Sequence, residues 1–477
     1  MRADLPYDMK PYKIRSAISA QSAHDLREIH MTQTAPNMKK VFGLAWPIGM
    51  NAVLLQLILV IDTVLITPLG EASLAAMGIA ASIAGIILGL LFAFSNGTQL
   101  IIAQAFGAKN AITMSKGFRS GRVVNGVIAT VGIILIFTLA KYLIYSIADS
   151  DKIAGMAYDY LRTFSMVTIG VAISQNITVY FNATGNSRIP FYANIIEIPV
   201  NVVVSLVLIY GFLGLPEMGL VGAAIGSAVA ISSRTLFLLS FYAKKQAEKG
   251  VTKENRPDKL TFADVKYHLQ YATPIAGTFV SAVIVGSICM MIYAKLGVNQ
   301  FAALTLIGPW VKVCAHLSTA WAQASSIIVG QLLGNKSWGL IDGFISKSWK
   351  VSFYIGVIIS LGYVSIFYLF KTIYPELQQE TVDTLWQFVP ILFIIGFIRT
   401  SNTFCGNVLR AGGDAKHVFK IHACTQWFVI LPLSALFVLY WELSAVWVFA
   451  LTLLEETIKS IPFHIRMLGG KWKRSLV

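Results

Sequence analysis

Twelve stretches of this chain each run for about 20 or more mostly apolar residues, and that recurrence leaves few folds open. They fall at roughly 42–66, 76–105, 122–147, 157–182, 190–212, 219–242, 270–294, 300–332, 349–370, 384–409, 418–440 and 443–465. A helix needs about 20 such residues to cross a hydrocarbon layer ~30 Å thick. The runs are continuously apolar and do not alternate, which favours spanning helices over barrel strands. Of 477 residues, 56% are hydrophobic and only 13% charged, against about 25% charged in soluble domains. A soluble protein would lack the polar surface to cover twelve such helices. The expected fold class is all-α: a polytopic membrane protein of twelve transmembrane helices.

The chain also repeats itself. Residues 47–110 reappear without a gap as 274–337: Pro47 matches Pro274, Leu69-Gly70 matches Leu296-Gly297, Gln104 matches Gln331, Gly107 matches Gly334 and Lys109 matches Lys336, all at one offset (274 − 47 = 227). Ala183-Thr184-Gly185-Asn186-Ser187-Arg188 is echoed by Ala411-Gly412-Gly413-Asp414-Ala415-Lys416 (411 − 183 = 228). A repeat of this length in a membrane chain points to a transporter of two related bundles that handle substrate between them.

Basic residues set the expected orientation. One set of loops carries Lys109, Lys116, Arg119, Arg122, Arg188, seven Lys and Arg between Lys244 and Lys266, Lys336, Lys347, Lys350, Arg410 and Lys416. The opposite loops carry Glu71, Asp149, Asp151, Glu217, Glu376, Glu380 and Glu442, with Lys152, Lys295 and Lys371. The net charge of +15 therefore reads as topology and calls for no nucleic acid. Both termini are expected in the cytoplasm, in a multi-pass protein of the cell (inner) membrane. Six crossings per half make the repeats parallel, related by a pseudo-two-fold axis along the membrane normal. The expected division is a disordered tail over 1–38 (Met1, Met31 and Met38 all being candidate starts), an N-lobe over 39–242, a linker over 243–267, a C-lobe over 268–466 and a cytoplasmic tail over 467–477. Residues 1–38 have no apolar core of a secretory signal. Cys289, Cys314, Cys405 and Cys424 all lie inside the apolar runs, which argues for packing roles and against a disulfide or metal framework.

Chemistry must come from polar groups at membrane depth. A charge at a helix centre costs roughly 2.5–3.5 kcal/mol on insertion scales, so it is a functional candidate. In the N-terminal half we single out Asp62 in the first run and Glu197 in the fifth. Asn201 follows Glu197 at i+4, on the same helix face. Two carboxylates and an amide oxygen form a hard-oxygen site for a proton or a small cation, with Na⁺ at Asp62, Glu197 and Asn201 as the metal reading. Two like charges would titrate as a unit, and a bound ion would relieve their repulsion. The alternative is an acid that merely ties neighbouring helices together. Pro47 and Pro199 each remove a backbone donor and permit bending of the helices that carry the acids. In the C-terminal half, Lys312, Arg399, Glu455, Glu456 and Lys459 are expected to pair among themselves. Glu455 or Glu456 is an alternative second protonation point, and His316 is read as a hydrogen-bonded packing residue. Gln56, Gln175, Asn176, Tyr180 and Met290 are candidate substrate-lining residues. The chain has no HExxH pair, no Gly-x-Ser-x-Gly elbow and no P-loop, so hydrolysis and nucleotide-driven pumping have no visible machinery.

The segment Trp46-Pro47 through Val60-Ile61-Asp62-Thr63, then Leu69-Gly70 and Ala75-Ala76, resembles the first helix of multidrug and toxic compound extrusion transporters. Asn182 to Pro190 resembles that family's loop after the fourth helix, and Arg410 to Asp414 its counterpart after the tenth. The likeness covers the chain from about residue 40 onward. It implies two six-helix lobes in a V and antiport of organic cations or other amphiphilic drugs against H⁺ or Na⁺. No cofactor beyond the coupling ion and no partner beyond the bilayer and small-molecule substrate is implied, and a monomer is expected. By the resemblance Asp62, Glu197 and Asn201 belong to an N-lobe cation site, with Ser227 supplying a sixth-helix hydroxyl. Two departures stand out. The C-lobe acidic pair of one family branch is replaced here by Ala282 and Arg399, and Glu197 and Asn201 exchange the acid and amide of some relatives. A lipid-linked saccharide flippase of the same superfamily is the alternative function.

Overall fold

The first helix begins where Asn37 caps it, its side-chain oxygen accepting from the Lys39 amide at 3.1 Å, the usual way an orphan helix donor is satisfied. In the computed structural model, residues 37–248, 259–375 and 377–476 are described. Twelve helices follow in order. The N-terminal six are α1 Met38–Ile66, α2 Glu71–Gly107, α3 Ala111–Ile147, α4 Asp151–Ala183, α5 Arg188–Tyr210 and α6 Gly219–Glu248. The C-terminal six are α7 Phe262–Tyr293, α8 Val298–Gly334, α9 Trp338–Ile373, α10 Gln379–Ala411, α11 Ala415–Tyr440 and α12 Ala445–Leu468. Among the described residues, eleven of these are long and apolar enough to cross a membrane. The twelfth, α12, carries Glu455, Glu456 and Lys459 in its middle, which breaks the apolar run.

Most helices start before the apolar runs, by eleven residues in α3 and α9 (122 − 111, 349 − 338), because polar end residues extend the helix beyond hydrocarbon depth. The central connection is correspondingly shorter than expected: α6 continues to Glu248 and α7 starts at Phe262, where Thr261 and Asp264 form a capping box. Residues 249–258 of that connection, and residues 1–36 of the expected N-terminal tail, lie outside the described residues. Met38 is already helical.

The repeat recurs in the backbone. Lys109 and Lys336, two residues past the ends of α2 and α8, both take left-handed conformations (φ 54° and 56°). Gly185 and Gly413, in the loops after α4 and α10, both have φ 84°. Packing repeats too: α2 lies on α4 as α8 lies on α10, α4 on α6 as α10 on α12, and α1 on α5 as α7 on α11. The halves meet where α8 packs against α1 and α2, and where α7 packs against α2 and α3.

At the end that bears the basic loops the halves are closed by a reciprocal pair. Gln104 Nε2 of α2 donates to the Ala411 carbonyl at 2.6 Å, and Gln331 Nε2 of α8 donates to the Ala183 carbonyl at 2.9 Å. Each glutamine thus satisfies a carbonyl at the end of a helix in the other half, where intrahelical partners run out. Glycine permits the approach: a methyl at Gly107 would strike the Gln331 carbonyl, and one at Gly334 the Gln104 carbonyl. Residues 471–476 pack over this closure. Trp472 is fully buried, the Leu476 amide donates to Gln104 Oε1 at 2.6 Å, and Tyr267 donates to the Leu476 carbonyl at 3.0 Å.

Candidate functional site

Three helices of the N-terminal half bring polar groups together at membrane depth. α1 contributes Asp62. α5 contributes Glu197 and Asn201, one turn apart on a shared face. α6 contributes Ser227 and Arg234, two turns apart on its own inner face. All five are buried, and all five line one cavity of about 310 Å³. Ser227 Oγ donates to Asp62 Oδ2 at 3.3 Å and in turn accepts from Asn201 Nδ2 at 3.1 Å. Asp62 Oδ1 and Asn201 Oδ1 are buried and have no hydrogen-bond partner among the described residues. Tyr160 and Phe164 of α4, stacked with centroids 5.7 Å apart, form one wall. Leu55, Ile58, Met77 and Leu88 supply much of the rest.

Glu197 is not the bare acid that the sequence suggested. Its Oε2 faces Arg234 Nη1 at 3.4 Å, and Arg234 Nη2 also reaches Thr178 Oγ1 of α4 at 3.5 Å. The reason is electrostatic: two unpaired carboxylates in a low-dielectric cavity would be costly, and a guanidinium on the facing helix offsets one of them. The simple two-acid site therefore becomes one ion pair plus one free carboxylate. Sequence reasoning missed Arg234 although the signal was there, since a charge sits inside the sixth apolar run. Tyr160 gave no such signal. Pro47 and Pro199 both lie inside continuous helices. Pro199, between Glu197 and Asn201, denies the Ile195 carbonyl its i+4 donor.

The expected lining residues do not border this cavity. Asn176 Nδ2 donates to the Phe118 carbonyl at 3.2 Å, and Tyr180 is buried among Phe118, Phe181 and Tyr242. Asn176 ties α4 to α3, the commonest use of intramembrane polarity, and Tyr180 packs by its ring. Gln56 and Met290 are exposed, and Gln175 is half-buried away from the site. A second cavity of about 400 Å³ lies on the seam of the halves, between α1, α8 and α9. Its walls are Phe42, Trp46, Met50, Trp321, Tyr354 and other apolar groups, with His316 among them, making no side-chain hydrogen bond among the described residues.

In the C-terminal half, Lys459 Nζ sits 3.1 Å from Glu455 Oε1 and 3.0 Å from Glu456 Oε1, and Arg399 Nε lies 3.5 Å from Glu456 Oε1. Asn402 donates to Glu456 Oε2 at 2.8 Å, and Gln426 donates to Glu455 Oε1 at 3.4 Å while accepting from Ser281 at 3.0 Å. Lys312, expected in this network, stands apart on an exposed face of α8 and makes no ion pair among the described residues.

The sequence model of the MatE family matches residues 47–207 and 274–436, one match per half. The chain is 21% identical over 442 residues to the uncharacterized transporter YisQ of Bacillus subtilis (strain 168), covering 91% of this chain and 94% of that one. It is 23% identical over 409 residues to the probable multidrug resistance protein NorM of Photorhabdus laumondii, covering 83% and 87%. An outward-facing multidrug resistance MATE family transporter of the MOP superfamily superposes with TM-score 0.80 at 15% identity, over 91% of this chain and 96% of that one. The eukaryotic MATE transporter AtDTX14 does so with TM-score 0.80 at 16% identity, over the same shares. These matches do not favour the flippase reading.

Proposed function

From a chain that belongs to the MatE family, the multidrug and toxic compound extrusion transporters, we infer an antiporter that exports amphiphilic organic cations in exchange for a coupling ion held in the N-lobe. The observation that carries this reading is the pair of buried acceptors, Asp62 Oδ1 and Asn201 Oδ1, beside the Ser227 hydroxyl. Leaving a buried acceptor unmatched costs roughly 1–3 kcal/mol. A proton on Asp62, or a Na⁺ among Asp62, Asn201 and Ser227, would remove that cost. The ion would then tie α1 to α5 and α6 and favour one packing of the lobe over another. NorM relatives, described as probable multidrug resistance proteins, support drugs as cargo. The aromatic seam cavity suits the flat, apolar body of such compounds.

With the basic loops in the cytoplasm, both termini are cytoplasmic and the Gln104–Gln331 closure seals the inner face. Ion capture and release would alternate this closure with an opening toward the cell interior. The N-lobe is α1 to α6 and the C-lobe α7 to α12, and the protein works as a monomer without a cofactor. Dye efflux from vesicles under separately imposed gradients tests the reading: a proton or a Na⁺ gradient alone drives efflux. Equal efflux with neither gradient would overturn it.

A further inference from the structure

We propose that Arg234 sets the number of ions coupled to each transport event, by leaving a single net negative charge in the N-lobe cavity. The inference rests on the coupling role of Asp62 and deepens it. With both carboxylates ionised, the cavity holds Asp62, Glu197 and Arg234, and the guanidinium cancels Glu197 at 3.4 Å. One uncompensated charge remains, on the carboxylate whose Oδ1 has no hydrogen-bond partner among the described residues. One proton or one monovalent cation completes that balance, and a second would carry the cavity to a net positive charge in a low-dielectric setting.

The C-lobe repeats the device and closes it. Buried positions of α12 follow those of α6 at one offset (459 − 234 = 225): Leu220 matches Ala445, Ala224 matches Phe449, Ile231 matches Glu456 and Leu238 matches Phe463. In that register Arg234 corresponds to Lys459, so each lobe places one buried cation at the same station of its sixth helix. In the C-lobe, Lys459 and Arg399 face Glu455 and Glu456, two cations against two anions. The Lys459 ammonium lies between both carboxylates, where a mobile cation would otherwise sit. The C-lobe network is thereby neutral without a bound ion, and the N-lobe carboxylate alone demands one.

The test neutralises each member of the pair, singly and together, and reads ion-to-substrate stoichiometry in proteoliposomes from opposing gradients at zero net flux. The wild-type protein should couple one ion per monovalent cationic substrate. Arg234→Gln, with the cavity at two net charges, should couple two. Glu197→Gln, with no net charge left, should lose at least tenfold in ion-driven efflux, and adding Arg234→Gln to it should restore efflux at a ratio of one. The proposal is overturned if Glu197→Gln keeps wild-type coupling, or if the double variant reaches the membrane folded and exports no better than Glu197→Gln. Because the rescue comparison does not involve Arg234→Gln alone, misfolding of that variant leaves the proposal testable. Failure of the underlying coupling reading has a separate signature, full ion coupling in Asp62→Asn.

Discussion

Arg234 is a demanding residue to bury. Only 2% of its side chain is exposed, and Glu197 is its sole ion-pair partner among the described residues. Removing one member of a buried pair leaves the other uncompensated, at about 3–5 kcal/mol, whereas replacing both by neutral groups of similar size is far milder. Arg234→Met should therefore lower unfolding stability in detergent by about 3–5 kcal/mol, and Glu197→Gln added to it should recover most of that loss. Equal loss in single and double variants would mean that packing, not charge, explains the effect. At this scale the sequence was legible where the residue type is rare. Asp62 and Glu197 stood out because carboxylates are scarce in apolar runs, Asn201 because it shares a helix face with Glu197, and Ser227 only through the family resemblance; all four line one cavity. Polar residues such as Asn176 and Gln56 carry no such information, since the same side chain serves a pocket or a helix contact equally well. Which it serves depends on the partner helix.

Among the helices, the sequence conveys length and number well and crossing points poorly. Apolar runs located all twelve helices, though α3 and α9 start eleven residues before their runs (122 − 111, 349 − 338), and the duplicated Gln-x-x-Gly at Gln104–Gly107 and Gln331–Gly334 was visible. That these two segments cross each other was not, because the contact joins residues 227 positions apart (331 − 104). The crossing depends on the absence of side chains at Gly107 and Gly334. Gly334→Val should hold α2 and α8 apart and keep the basic-loop end from closing. The expected reading is a loss of the Gln104–Ala411 and Gln331–Ala183 contacts, seen as cysteine-directed labelling of Ala183→Cys that rises severalfold over the same cysteine in the Gly334 background. Unchanged labelling would show that the closure tolerates a side chain there. α12 illustrates the opposite limit. Its charges weaken the hydropathy signal, yet they are satisfied by Arg399 of α10 and by each other, which lets the helix lie among its neighbours.

For the whole molecule, the two lobes form a closed contact at one end through paired glutamines, and residues 471–476 lie across that contact like a strap. The strap joins Gln104 of the N-terminal half to Tyr267 and, through Lys473, to Asp342 of the C-terminal half at 2.6 Å. Burying Trp472 completely on Gly412 adds apolar contact that must be given up when this end opens. Removing residues 471–477 should bias the lobes toward opening here, and hydrogen exchange at the ends of α2 and α10 should accelerate. Protection equal to that of the intact chain would assign the strap no part in closure. The repeat made two related halves legible in the sequence. The strap was not, because a short polar tail with one tryptophan has no periodicity to read.

The central claim is that substrate movement and ion movement are joined at Asp62. The direct measurement is to record both fluxes together in proteoliposomes holding either the wild-type protein or Asp62→Asn. An outward substrate gradient imposed on the wild-type protein should drive ions the opposite way, while Asp62→Asn, inserted in equal amount, should move no ions with its substrate. Ion flux in Asp62→Asn that still follows substrate flux would contradict the account.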